Sequence, residues 1–184
     1  LYQLTEQRVA HELTALADLF DSAAMAEPYG EEVSIRDHML QGAELAVQRR
    51  LGGPMVAAAL LHDVGWAMGE AAHEHASADL LEPLFGVAVA EPIRQHVAAK
   101  RYLVGTRPEY HDVLSEASRM TLARQGGPMS ATECAAFAAL PACSAALELR
   151  SLDDAGKNAD GATTNFADYA ALLHRLMIRH LLAG

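Results

Sequence analysis

The sequence predicts an all-α domain, and three observations carry that reading. Apolar residues recur at helical spacing along most of the chain; no stretch alternates with period two for long enough to make a strand; and aromatics are only 5% of a chain that is 51% apolar. Abundant alanine with few aromatics suits closely packed helices that meet through small side chains. At 184 residues the chain fits a single domain, 1–184, able to bury a substantial core without disulfides.

Residues 4–26 carry Val9, Leu13, Leu16, Leu19 and Phe20 at helical spacing with polar residues between, the pattern of a covering helix. Pro28-Tyr29-Gly30 breaks the chain, and Ser34 is the expected N-cap of a helix running to about residue 50. Gly52-Gly53-Pro54 closes that helix and opens a third, which ends at His62-Asp63. After a loop over 65–70, helices are expected at about 72–84 and 87–103, then a break at 105–108 and a shorter helix from about 114 to Gln125. Gly126-Gly127-Pro128 stops it. Ser130 and Glu133 form a capping-box pattern for a short helix that yields at Pro141 to one reaching about Asp153. A polar loop follows, and residues 166–182 close the chain with an amphipathic helix.

A formal charge of −10 disfavours nucleic acid and acidic membranes as partners, since both demand many cations on one face. No apolar run approaches the ~20 residues of a membrane span, and no signal-peptide pattern is visible, so the expected compartment is the cytoplasm. Cys134 and Cys143 form no metal or redox spacing and read as small buried residues. The sequence leaves the oligomeric state open.

Chemistry concentrates at Leu60-Leu61-His62-Asp63-Val64-Gly65, where an apolar helix breaks into a histidine and an aspartate side by side. Neighbours on a helix point about 100° apart, so both face one point only if an ion sits between their directions. Other helices add His38, His73, His96 and Asp153. Any one histidine is more often a hydrogen-bonded core residue than a ligand. Together the six N and O donors, with no thiolate, suit iron or manganese, and are enough for two ions if Asp63 bridges. His75 is the one competitor for His73 and lies on a different helix face. His11, His111, His174 and His180 are assigned to surface or packing. Lys100 is four residues from His96 and Arg150 three from Asp153, so each cation shares a face with a proposed ligand. Metal ions repel such neighbours unless an anion lies between, which points to a phosphate or phosphonate, with Ser118 and Thr121 as further donors.

At this point the His, His-Asp, His, His, Asp order resembles the HD-domain metalloproteins, a helical superfamily of phosphohydrolases and a few di-iron oxygenases. His96-Val-Ala-Ala-Lys100, Leu114-Ser-Glu-Ala-Ser118-Arg-Met-Thr121, Gln125-Gly-Gly-Pro-Met129 and Arg150-Ser-Leu-Asp153-Asp-Ala-Gly-Lys157 resemble the oxygenases that cleave the carbon-phosphorus bond of 1-hydroxyphosphonates. Their substrates include 2-amino- and 2-trimethylamino-1-hydroxyethylphosphonate. The similarity covers about residues 29–180.

That resemblance implies two Fe ions in a mixed-valent Fe(II)/Fe(III) pair. One would be held by His38, His62, Asp63 and Asp153, the other by Asp63, His73 and His96. It implies that Lys100, Ser118 and Arg150 grip the phosphonate and that Tyr29 and Glu31 close over the site and meet the substrate amine. Here only Gly30 separates Tyr29 from Glu31, one residue fewer than in the aminophosphonate enzymes, and Glu32 stands beside as an alternative carboxylate. Trp66 stands where those enzymes have a histidine near the phosphonate, either as packing or as a cation-π face. The implied reaction takes O2 and the hydroxyphosphonate to phosphate and a carboxylic acid such as glycine or glycine betaine. The rival is a metal-dependent phosphohydrolase, in which the same two ions activate a hydroxide against a phosphate ester.

Overall fold

A computed structural model describes residues 2–28, 31–69 and 72–183. Ten α-helices and no strand occur among them. They are α1 (Tyr2–Phe20), α2 (Ile35–Gln48), α3 (Gly53–Leu61), α4 (His73–Phe85), α5 (Val87–Thr106), α6 (Tyr110–Val113), α7 (Glu116–Arg124), α8 (Ala131–Ala138), α9 (Cys143–Ala155) and α10 (Phe166–Ala183), with 3-10 turns at Ala23–Ala26 and Val64–Met68. No single helix among the described residues is long and apolar enough to cross a membrane.

The start signals hold at atomic detail. Ser34 caps α2 by accepting from the Asp37 amide at 3.1 Å, Pro54 lies in the first turn of α3, and Ser130 and Glu133 make both bonds of a capping box. α3 is apolar on every side, with Val56 through Leu61 all buried, which makes it the central helix. Against it lies α2, where a Cβ added at Gly42 would make ordinary contact, 3.6 Å from the Ala59 carbonyl. α5 packs along α4 and α9, and α1 along α10, so the core collects Phe20, Met39, Leu60, Leu81, Ile93, Leu152 and Met177, all fully buried. Each contributes about 1.5–3 kcal/mol by leaving water.

Three boundaries differ from the sequence expectation. α1 stops at Phe20, because Ser22 is extended (φ −63°, ψ 158°), and the separate turn that follows drops Met25 into the core. α5 runs through Gly105 to Thr106; that glycine serves packing, since a Cβ there would meet the Met129 carbonyl at 2.5 Å. Residues 110–113, expected within a break or its approach, form the one-turn helix α6. Cys134 and Cys143 are free and half-buried.

Candidate metal centre

α3 ends at Leu61. His62 keeps helical angles, but Asp63 turns off the helical path (φ −107°, ψ 8°), and this break brings two adjacent side chains together, with His62 Nε2 3.6 Å from Asp63 Oδ2. The sequence argument held them apart on a continuous helix; the helix terminus removes that obstacle. His38 from α2 places its Nε2 3.2 Å from His62 Nε2 and 3.2 Å from Asp153 Oδ1 on α9. On the other side, Asp63 Oδ1 lies 3.3 Å from His73 Nε2 and 3.7 Å from His96 Nε2. Two donor groups result, His38-His62-Asp63 and Asp63-His73-His96, each with its atoms within 4.8 Å of one another. They share Asp63.

The tautomers follow from hydrogen bonding. The Nδ1 atoms of His38, His62 and His96 lie 2.8, 2.9 and 2.7 Å from the carbonyl oxygens of Gly156, Ala59 and Ile93, so each Nδ1–H donates outward and each Nε2 turns a lone pair inward. The facing Nε2 atoms of His38 and His62 therefore require a cation or a proton between them. Asp63 Oδ1 is buried with no hydrogen-bond partner, a second sign that a positive group belongs there. Burial pushes His96 down to about 3 and also lowers His62, so both rings stay neutral and able to donate. Burial opposes ionisation of Asp63 and Asp153, yet the imidazoles around the first and Arg150 beside the second hold both carboxyls well below the usual range. Burial opposes protonation of His38 and His73 as well, but Asp153 beside the first and Asp63 beside the second raise them, so these two rings hold a proton more readily than a free imidazole until an ion displaces it. Imidazoles and ionised carboxylates so arranged are a donor set for a divalent or trivalent ion.

A cavity of ≈ 380 Å³ opens on these groups, a volume suited to a small ligand. Lys100, Ser118, Thr121, Arg150 and Glu31 line it, as does Trp66, whose ring stacks on His73 at 4.5 Å and 18°. Lys100 is 3% exposed and donates to Thr121 Oγ1 at 2.9 Å; no carboxylate pairs with it among the described residues. Burial, reinforced by Arg150, pushes its ammonium down to about 8. Glu31 faces the cavity whereas Glu32 is exposed. Tyr29 lies outside the described residues.

Arg150 corrects one expectation. Its guanidinium touches Asp153 Oδ2 at 2.5 Å directly, bonds Asp154 through Nη2, and reaches the Tyr110 hydroxyl through Nε at 3.0 Å. It needs no intervening anion, because the carboxylates beside it supply the negative charge. Tyr110, Asp154 and Lys157 were missed. Asp154 is four residues from Arg150, a spacing that could have found it. Lys157 stood within a quoted motif with no role attached; its ammonium lies 2.7 Å from Glu31 Oε1 and 3.0 Å from Ser118 Oγ. His73 rather than His75 faces the centre, and the His75 side chain is mostly in solvent.

Buried imidazoles and carboxylates arranged as two donor groups about one shared aspartate, under a cavity lined by Lys100, Arg150 and Lys157 as well as Glu31 and Glu116, make a helical bundle whose centre could hold metal beside a small ligand. No family model matches the sequence. The chain is 39% identical over 177 residues, 90% of each protein, to the (1-hydroxy-2-(trimethylamino)ethyl)phosphonate dioxygenase (glycine-betaine-forming) of Leisingera caerulea. It is 40% identical over 141 residues, 70% of each, to the hydroxymethylphosphonate dioxygenase of Gimesia maris. An uncharacterised protein of Acanthamoeba polyphaga mimivirus is 32% identical over 170 residues, 85% of this chain and 78% of that one. The chain belongs to the 1-hydroxyphosphonate dioxygenase family.

Proposed function

We propose that the protein is a di-iron dioxygenase of HD-domain type that uses O2 to cleave the carbon-phosphorus bond of a 1-hydroxyphosphonate, giving phosphate and a carboxylic acid. For the trimethylamino substrate named by the Leisingera relative, the acid is glycine betaine. The balance closes: both oxygen atoms of O2 enter the products, and the hydrogen of C1 leaves as a proton on phosphate or carboxylate. The observation that carries the reading is Lys100, a buried ammonium that lines the same cavity as the shared aspartate and, among the described residues, bonds a hydroxyl and no carboxylate, which calls for an anion in the cavity.

In this reading His38, His62, Asp63 and Asp153 hold one iron, and Asp63, His73 and His96 the other. When bound, the pair supplies Lewis acidity toward the substrate hydroxyl and the oxidising chemistry of O2. The remaining work belongs to the chain. Lys100, with Thr121 and Ser118, neutralises and orients the phosphonate. Arg150 holds Asp153 in place and adds its positive field. Glu31 meets the ammonium of an amine-bearing substrate, and Trp66 walls the cavity while fixing the His73 ring.

The test is phosphate release by iron-loaded protein from 2-trimethylamino-1-hydroxyethyl-, 2-amino-1-hydroxyethyl- and hydroxymethylphosphonate, with and without O2. Release in air alone is the expected result. Oxygen-independent hydrolysis of a phosphate ester, with no release from the phosphonates, would place the protein among the phosphohydrolases.

A further inference from the structure

Three of the four clustered histidines are built alike: Nε2 faces the centre and Nδ1 lies within 2.9 Å of a backbone carbonyl oxygen. His73 departs from this. It is the first residue of α4, so no earlier turn of its own helix offers a carbonyl one turn back, as Ala59 and Ile93 do for His62 and His96. Its Nδ1 instead faces Glu74 Oε2 at 3.6 Å. That carboxylate oxygen is buried and has no hydrogen-bond partner. That oxygen stands beyond hydrogen-bond length from the ring while the other, Oε1, lies 3.9 Å from His75 Nε2, so a small shift of the side chain would give His73 the supporting carboxylate that metal-bound histidines usually have. Trp66, stacked on the His73 ring at 4.5 Å, packs the imidazole in this orientation.

We propose that Glu74 is a positioning residue for the Asp63-His73-His96 site: its carboxylate accepts the Nδ1 proton of His73, fixes Nε2 as the donor and makes this imidazole more electron-rich than the three bonded to carbonyls. The inference rests on the two-metal reading above. Its consequence is inequality. The two sites share Asp63, but only one gains a carboxylate-backed histidine, so that site binds its ion more tightly and favours the higher charge.

Mn(II) titration of metal-free protein, with free ion followed by electron paramagnetic resonance, tests this without reference to activity. Wild type is expected to take two ions per chain. Glu74→Gln should weaken one of them by about 10–100-fold while leaving the other within about threefold, and Glu74→Asp should recover part of the loss. In Zn(II)-loaded wild type, the ¹⁵N spectrum should show one Nδ1–H, that of His73, well downfield of the other three. Two unchanged affinities in Glu74→Gln, or a His73 signal indistinguishable from its neighbours, would overturn the proposal while leaving two metals standing. A wild type that binds fewer than two ions would overturn the two-metal reading and this inference together.

Discussion

Lys157 and Glu31, 126 residues apart in sequence, meet as an ion pair of 2.7 Å at the rim of the cavity, and Ser115 joins them by donating to Glu31 Oε1 at 2.7 Å. The contact ties the segment after residue 30 to the N-terminus of α7 and to the loop beyond α9. It also gives Glu31 a cation before any substrate arrives.

Both side chains are about one-fifth exposed, so their attraction is only partly screened. Lys157→Met should cost about 1–2 kcal/mol in urea denaturation by leaving Glu31 unpaired, and Glu31→Gln should cost less. Combining the two should cost less than the sum. Strict additivity would show that the pair lends no mutual stability. For catalysis, Glu31→Gln should raise KM for the amine-bearing substrates at least tenfold and leave hydroxymethylphosphonate nearly unchanged.

Lys100 sets a pH dependence in the metal-free protein. Its folded pKa near 8 lies below the unfolded 10.5, so between those values the unfolded chain holds a proton that the folded chain has released. Stability should therefore rise as pH climbs from about 8 to 10.5, while below 8 the buried charge is a constant cost of at most about 3 kcal/mol. Lys100→Met should be more stable at pH 7 and lack the alkaline rise. The same variant should bind inorganic phosphate at least tenfold more weakly at pH 7, read by calorimetry.

Gly65 carries no space for a side chain: a Cβ would stand 2.2 Å from the His73 carbonyl and 2.8 Å from the Ser77 amide and hydroxyl. These are backbone and buried atoms that cannot swing aside. Gly65→Ala should cost about 3 kcal/mol or more, lowering Tm by roughly 6–12 °C. It should also break the bond from the Gly65 amide to Ser77 Oγ, now 2.8 Å, that holds the start of α4 against the turn after Asp63. Metal content should fall on the His73 side first.

Asp63 reaches both donor groups, whereas His96 belongs to one. Asp63→Asn should hold neither ion and His96→Ala only one, measured as metal per chain after gel filtration. Chelation of wild type should lower Tm, with ions at 1,000 times their Kd stabilising by about 4 kcal/mol each.

Much of this site was legible because helices carry most of it. His38, His62, Asp63, His73, His96 and Asp153 sit in or at the ends of helices, where an adjacent His-Asp pair ending an apolar run and a series of further histidines and an aspartate stand out. Lys100 and Arg150 were found by their spacing from those residues. Lys157 and its ion pair with Glu31 were not, because loops bring them together and a loop contact leaves no period in the sequence, and Tyr110 was not, because its one-turn helix is too short to show a period. Glu74 failed for another reason. An acidic residue in a first helical turn is ordinary, and only the burial of one carboxylate oxygen beside His73 distinguishes it.

The bonds from His38 Nδ1 to the Gly156 carbonyl and between Gln41 and Asn158 in both directions fasten α2 to chain made almost 120 residues later. Asp63, His73 and His96, by contrast, all lie within one early stretch. On a translating ribosome the donors of the second site therefore emerge together, while His38 waits for Asp153 and Gly156 before its ring is aimed. Under the proposed assignment, the site of Asp63, His73 and His96 would draw on contacts within one stretch of the chain, whereas the site that includes His38 would close only through contacts with the chain around Asp153 and Gly156.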